Sequence, residues 1–196
     1  MSFSSSNTVI SVSKLISNFF NPIISLLIFY IYVASKNHTF EEALRYILPL
    51  ILIAVIPIMA WIIINVKKGK YTNMDVSDRK QRNSLYYFII GALVVYLSYY
   101  YIKFNEWDFK ILYLLILLVL MFFSNHYIKS SMHTGLNIFV AALFYAENPC
   151  FGWIWLILSV IVGVTRVILK RHSIAEVFSG SILAFIVSIF YLYSIN

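Results

Sequence analysis

Apolar residues run along this chain in long unbroken stretches, separated by short polar connections and without the alternation that marks a half-buried strand. The stretches cover 15–34, 46–66, 85–102, 111–123, 134–145, 153–169 and 174–195. Their length predicts helices, because a buried strand ends after about eight residues. A bilayer core of about 30 Å takes roughly 20 apolar residues per helix, and most of the runs approach that length. The fourth and fifth are shorter, which predicts tilted helices, helices prolonged into their polar ends, or incomplete spans. Tyr30 and Tyr32, the tyrosines at 99–101, and Trp153 and Trp155 gather near segment ends, as aromatic belts do at a membrane interface. The expected fold is all-α: a polytopic transmembrane bundle of about six to seven membrane helices. It forms a single domain over 1–196, with residues 1–14 as a short polar tail.

Composition supports lipid as the solvent. Of 196 residues, 61% are hydrophobic and 12% charged, more apolar surface than a soluble domain of this length can hide. The net charge of +7 points to anionic partners, which in a membrane protein are lipid headgroups or a phosphorylated substrate ahead of nucleic acid. Cys150 is the only cysteine, which excludes a disulfide within the chain and a multi-cysteine metal site. The Ser-rich start lacks the basic opening and small-residue cleavage site of a signal peptide. Oligomeric state leaves no trace in the sequence.

Seven spans would impose a parity rule. Loops 67–84, 124–132 and 170–173 would share a side with the N-terminus, and loops 35–45, 103–110 and 146–152 would lie opposite. Loop 67–84 sets Lys67, Lys68, Lys70, Arg79, Lys80 and Arg82 against Asp75 and Asp78 alone. In 35–45 and in 103–110 the charges balance. The positive-inside rule makes the basic side cytoplasmic, although cations recruited to bind phosphate would bias the count in either orientation. The expectation is a multi-pass protein of a cell or inner membrane with its site on the cytoplasmic face.

Each basic-side loop carries a candidate for chemistry. In the first, Arg79 and Arg82 stand three apart and would share a helix face, where two guanidinium forks suit a phosphate. The simpler reading is an interfacial helix held by Asp75–Arg79 and Asp78–Arg82 pairs against anionic lipid. In the second, Ser130 or Ser131 can cap the following helix. The same helix N-terminus offers free amides to an anion, and His133 one turn in could protonate a leaving oxygen. In the third, His172 and Glu176 are four apart, so the carboxylate can accept the imidazole N–H and leave the other nitrogen as a nucleophile. Glu176 and Arg166 both interrupt apolar runs, where ionisable groups are costly and point to function. Lys170 and Arg171 also fit a role as interfacial anchors.

These pieces, in this order, resemble the type 2 phosphatidic acid phosphatase superfamily, which includes lipid phosphate phosphatases and vanadium haloperoxidases. The family pattern is K-x6-R-P, then P-S-G-H, then S-R-x5-H-x3-D. This chain reads Asp75-x6-Arg82-Asn83, then Ser130-Ser131-Met132-His133, then Thr165-Arg166-x5-His172-x3-Glu176. The third motif keeps its full spacing with Ser→Thr and Asp→Glu changes, and the second keeps Ser and His. The first keeps its arginine, with Asp75 where the family has a phosphate-binding lysine, leaving Arg79 or Lys80 to supply that cation. The match covers about 75–176.

The resemblance implies that His172 attacks phosphorus, Glu176 orients it, and His133 protonates the leaving alkoxide and then activates water. It further implies that Arg82, Arg166 and Ser131 hold the phosphoryl oxygens. The expected activity is metal-independent hydrolysis of a lipid phosphomonoester or pyrophosphate, with no cofactor, a membrane lipid phosphate as substrate and no nucleic-acid partner. Two alternatives stand beside it: a phosphoryl transferase using the same site, and a non-catalytic lipid-binding or transport protein with a degenerate site, to which Asp75 and Asn83 lend support.

Overall fold

The computed structural model describes residues 6–37 and 39–195, and among these every regular element is helical. The helices are α1 (Asn7–Phe19), α2 (Pro22–Asn37) and α3 (Phe40–Leu50), the last continuing through a π-helical turn (Ile51–Val55) into α4 (Ile56–Lys67). There follow α5 (Arg79–Phe104), α6 (Phe109–Ser124), α7 (Met132–Glu147), α8 (Pro149–Ile168) and α9 (Ile174–Ser194). Their starts follow from local chemistry. Ser6, Asp78, Asp108, Ser131, Asn148 and Ser173 each turn a side-chain oxygen onto an amide of the first turn that has no helical partner. Pro22 and Pro149 open α2 and α8, where a missing N–H costs nothing. Asn105 ends α5 in the left-handed region, at φ 54°.

Four helical segments are long and apolar enough to cross a membrane: Ile47–Lys67, α5, α8 and α9. A fifth is added if α1 and α2, bent by 51° at their junction, count as one broken span. This is compatible with a multi-pass membrane protein, but it corrects the expected six to seven spans. The first apolar run breaks between Phe19 and Pro22, and α1 begins at Asn7, inside what reads in the sequence as a polar tail. Helices α6 and α7 have 16 residues each, so each is about 24 Å long against a core of about 30 Å. With the count reduced, parity no longer places the three basic-side loops together.

The chain divides into two compact units, Met1–Phe29 with Ile128–Asn196, and Tyr30–Tyr127. In the first, α7 is the central helix, buried at every residue from Met132 to Phe144. Helices α8 and α9 pack along it, with Phe144 stacked on Trp155 at 4.7 Å and Phe139 edge-on to Tyr191 at 5.7 Å. Small residues let the backbones close up. A methyl group at Gly163 would lie 3.1 Å from Val177 Cγ1, and one at Gly180 would lie 2.7 Å from the carbonyl oxygen of Ser131.

The second unit packs α5 against α4, the π turn and α6. Trp61 stacks on Phe88 at 4.4 Å and donates its indole N–H to the Tyr71 hydroxyl, which also bonds Ser84. At the start of α6, Asp108 is 4% exposed. Its Oδ1 accepts the amides of Lys110 and Ile111, and its Oδ2 accepts the hydroxyls of Tyr30 and Tyr96 at 3.5 and 3.3 Å. Burial raises the Asp108 carboxyl above the ordinary carboxylate range, and the nearby Lys110 charge and these hydrogen bonds offset only part of that.

The folded state therefore holds the Asp108 proton more tightly than the unfolded chain does. Stability is gained as pH falls through the folded value towards the unfolded one, and lost as the carboxyl ionises. Asp108→Asn keeps a capping oxygen without the charge. It is expected to match or exceed the parent in mildly alkaline buffer, with the parent recovering in weak acid. Asp108→Ala loses the cap and about 1 kcal/mol at either pH. Thermal unfolding in detergent across that range reads the difference; a parent that loses stability on acidification relative to Asp108→Asn contradicts the assignment.

Candidate active site

The site is built where α8 turns into α9. Helix α8 ends just after Arg166, and the chain reverses at Lys170, which adopts φ 54°. For a side chain larger than asparagine that conformation is costly, on the order of 1–3 kcal/mol. The turn is held by the Arg166 carbonyl, which accepts the amides of Arg171 and His172 at 3.0 and 3.3 Å. The five-residue spacing between Arg166 and His172 is thus the length of a tight reversal that brings the histidine back beneath the end of α8. Ser173 then caps α9 in a reciprocal box: its hydroxyl accepts the Glu176 amide, and Glu176 reaches back to the Ser173 amide at 3.0 Å.

The same Glu176 oxygen, Oε2, stands 3.0 Å from His172 Nδ1 and 3.8 Å from Lys129 Nζ. A carboxylate only accepts, so Nδ1 carries a proton in this contact. The His172 side chain is 2% exposed. The longer glutamate has a physical use here, since it lets one carboxylate orient the histidine and close the capping box at once. Lys129 also donates to the Arg171 carbonyl at 3.2 Å, tying the loop before α7 to the turn after α8.

The second loop is fastened to α9 by its backbone. The Ser131 amide donates to the Glu176 carbonyl at 3.0 Å, and Ser130 Oγ meets Ser179 Oγ at 2.8 Å. That approach is possible because residue 180 has no side chain. Ser131 caps α7 through the Thr134 amide, so His133 sits in the first turn, 7% exposed. Its carbonyl accepts Asn137 Nδ2 at 2.7 Å. Asn137 is fully buried and also donates to the Phe20 carbonyl, while its Oδ1 accepts Ser25 Oγ and Trp155 Nε1. One side chain thereby joins the His133 turn, the α1–α2 break and α8. Across from it, Arg166, 2% exposed, donates Nη1 to Ser17 Oγ of α1 at 2.8 Å.

Of the residues singled out in the sequence, Ser131, His133, Arg166, His172 and Glu176 all lie in the first unit, and direct hydrogen bonds link their helices. Arg79 and Arg82 belong to the second. Arg79 donates from Nε to the Asn125 carbonyl and from Nη2 to the His126 carbonyl, closing the C-terminal end of α6. Asp78 caps α5 through the amides of Lys80 and Gln81, and Asn83 Oδ1 accepts Asn125 Nδ2. Arg82 is 2% exposed. The sequence reading missed Ser17, Asn137 and the part played by Lys129. A polar residue inside an apolar run was a usable signal for Asn137; the same signal at Ser17 is weak, since a serine hydroxyl is readily satisfied within its own helix.

Among the described residues, no three His, Cys, Asp or Glu side chains are grouped to hold a metal ion. Compared with models of known protein families, with characterised proteins and with solved structures, the chain has no match, so its chemistry must be read from its own residues.

Proposed function

We propose that the chain hydrolyses a phosphate ester or pyrophosphate carried by a membrane lipid, through a phosphohistidine on His172. The observation that carries the reading is the His172–Glu176 pair at 3.0 Å, its histidine buried and its carboxylate half-buried, with Glu176's own carbonyl fastened to the Ser131 amide at the start of α7. In this reaction His172 Nε2 attacks phosphorus and the bond to the leaving oxygen breaks. His133 donates its proton to that oxygen. Water then attacks the phosphohistidine, His133 takes the water's proton, and the P–N bond breaks to release phosphate. Such transfer depends mainly on positioning and on neutralising the equatorial oxygens. Arg166, Lys129, Ser131 and the first amides of α7, all within the first unit, are the proposed means. Arg79, already committed to two carbonyls, is left out of the clamp.

A second reading has one observation in its favour. The capping box gives Glu176 a purely structural task, as in a lipid-binding protein with a degenerate site. Phosphate release from a panel of lipid phosphates in detergent separates the two. The panel should include phosphatidic acid, phosphatidylglycerophosphate, a polyprenyl pyrophosphate and lipid A, each with EDTA present. Release by the parent is expected, with His133→Ala slower by about 10²–10⁴-fold. Release that requires added magnesium, or that is unchanged in His133→Ala, contradicts the proposal. Product analysis with an added alcohol distinguishes hydrolysis from transfer.

A further inference from the structure

At the end of the second unit where α3 begins and α5 finishes, a groove of about 320 Å³ opens between these helices. Its volume falls at the lower end of the range for small-molecule sites, about 300–1,000 Å³. One wall is a single helical stripe, Arg45, Leu48, Pro49, Leu52 and Ile53, spaced at three and four residues; the other is Tyr99 and Lys103, one turn apart on α5. Pro49 cannot donate to the carbonyl four residues earlier, and the π turn follows it directly, so the wall departs from regular helix just where the groove lies.

The charge is all at one end. Arg45 lies two residues before the apolar span Ile47–Lys67, and Lys103 one residue before the end of α5, so both sit at the same membrane interface with the apolar stripe running inward from them. Lys103 folds back over Tyr99, donating to its hydroxyl at 3.0 Å with Nζ 5.5 Å from the ring centroid. Among the described residues, no carboxylate lines the groove.

We propose that this groove is a binding site for an anionic phospholipid of the surrounding leaflet, its phosphate held by Arg45 and Lys103 and one acyl chain laid along Leu48, Pro49 and Leu52. The pairing of two cations with an apolar slot is what recognises such a lipid: a zwitterionic headgroup cancels the attraction, and a headgroup without a tail leaves the slot empty. Every lining residue belongs to the second unit, so the site is independent of the proposed histidine chemistry.

The test uses the full chain in detergent, titrated with phosphatidylglycerol or with phosphatidylcholine of the same acyl chains, and read by native mass spectrometry of retained lipid. The parent is expected to prefer phosphatidylglycerol by roughly tenfold or more. R45Q/K103Q loses that preference, and Leu52→Trp, which fills the slot but keeps both cations, weakens retention similarly. K67Q/K68Q, in the basic loop at the far end of α4, keeps the preference. Glycerol phosphate does not compete. The proposal is overturned if neither groove variant changes the preference, if Leu52→Trp alone has no effect, or if K67Q/K68Q removes it equally. Leu52→Trp retains both cations, so it decides the matter even if R45Q/K103Q fails to fold.

Discussion

Replacing His172 with alanine is expected to lower phosphate release by on the order of 10⁴-fold or more, because the covalent route through the ring is lost outright. Stability should change little by comparison. The neighbouring carboxylate separates catalysis from architecture. Glu176→Gln can still accept from Nδ1 and from the Ser173 amide, so the capping box survives and the cost in stability stays below about 1 kcal/mol. What it removes is the negative charge that stabilises a histidine becoming positive as it forms its bond to phosphorus. Turnover should therefore fall by roughly 10–10³-fold, in kcat rather than KM. A Glu176→Gln protein with parental turnover would reduce Glu176 to a helix cap and leave the non-catalytic reading.

The other large effect is expected at a residue with no chemistry of its own. A methyl group at Gly180 would lie 2.7 Å from the Ser131 carbonyl oxygen and 3.0 Å from its nitrogen. Both are backbone atoms, so no rotamer change relieves the contact. The α7 start must move off α9, and overpacking of this kind costs about 1–3 kcal/mol. The move also stretches the bond between the Ser131 amide and the Glu176 carbonyl, shifting His133 relative to His172. A misplacement near 1 Å costs about 10²-fold in rate.

Gly180→Ala should therefore lose both thermal stability and about two orders of magnitude in turnover. Gly91 provides the internal control. It lies within α5 with nothing within 4 Å of an added methyl, and alanine there should be neutral or stabilising by up to about 1 kcal/mol. If Gly180→Ala behaves like Gly91→Ala in both thermal unfolding and turnover, the packing of α7 on α9 does not set the site's geometry.

The all-helical fold was legible because long apolar runs admit little else, and the start of α7 was legible because the Ser131 side chain satisfies a bare amide; the caps at Asp78, Asp108, Asn148 and Ser173 emerged only with the fold. The number of spans was not. Hydropathy reports how apolar a run is on average, and 15–34 averages as apolar despite Asn18 and Asn21, yet its backbone breaks before Pro22. Helix α7 reads as a short span because it is apolar, when it is apolar because it is the covered centre of its unit.

The His172–Glu176 pair was legible from four-residue spacing alone, since such a pair needs no tertiary information. Ser17 was not. It faces inward from a helix whose exposed side carries Val12, Leu15 and Phe19, the reverse of a soluble amphipathic helix, and only the fold shows that its hydroxyl receives Arg166. Arg79 and Arg82 show the complementary failure: spacing set two guanidinium groups near one another, but could not foresee that the bare carbonyls at the end of α6 would claim Arg79.

The central claim is tested most directly by catching the phosphorylated protein. His133→Ala, slowed in hydrolysis of the intermediate, is mixed with a lipid phosphate carrying labelled phosphorus, quenched in alkali to preserve phosphohistidine, and mapped by mass spectrometry. Label on His172, absent from the H133A/H172A double variant, is the predicted result. Phosphate release by the parent with no label reaching His172 in the trapping variant, or label at another residue, would contradict it.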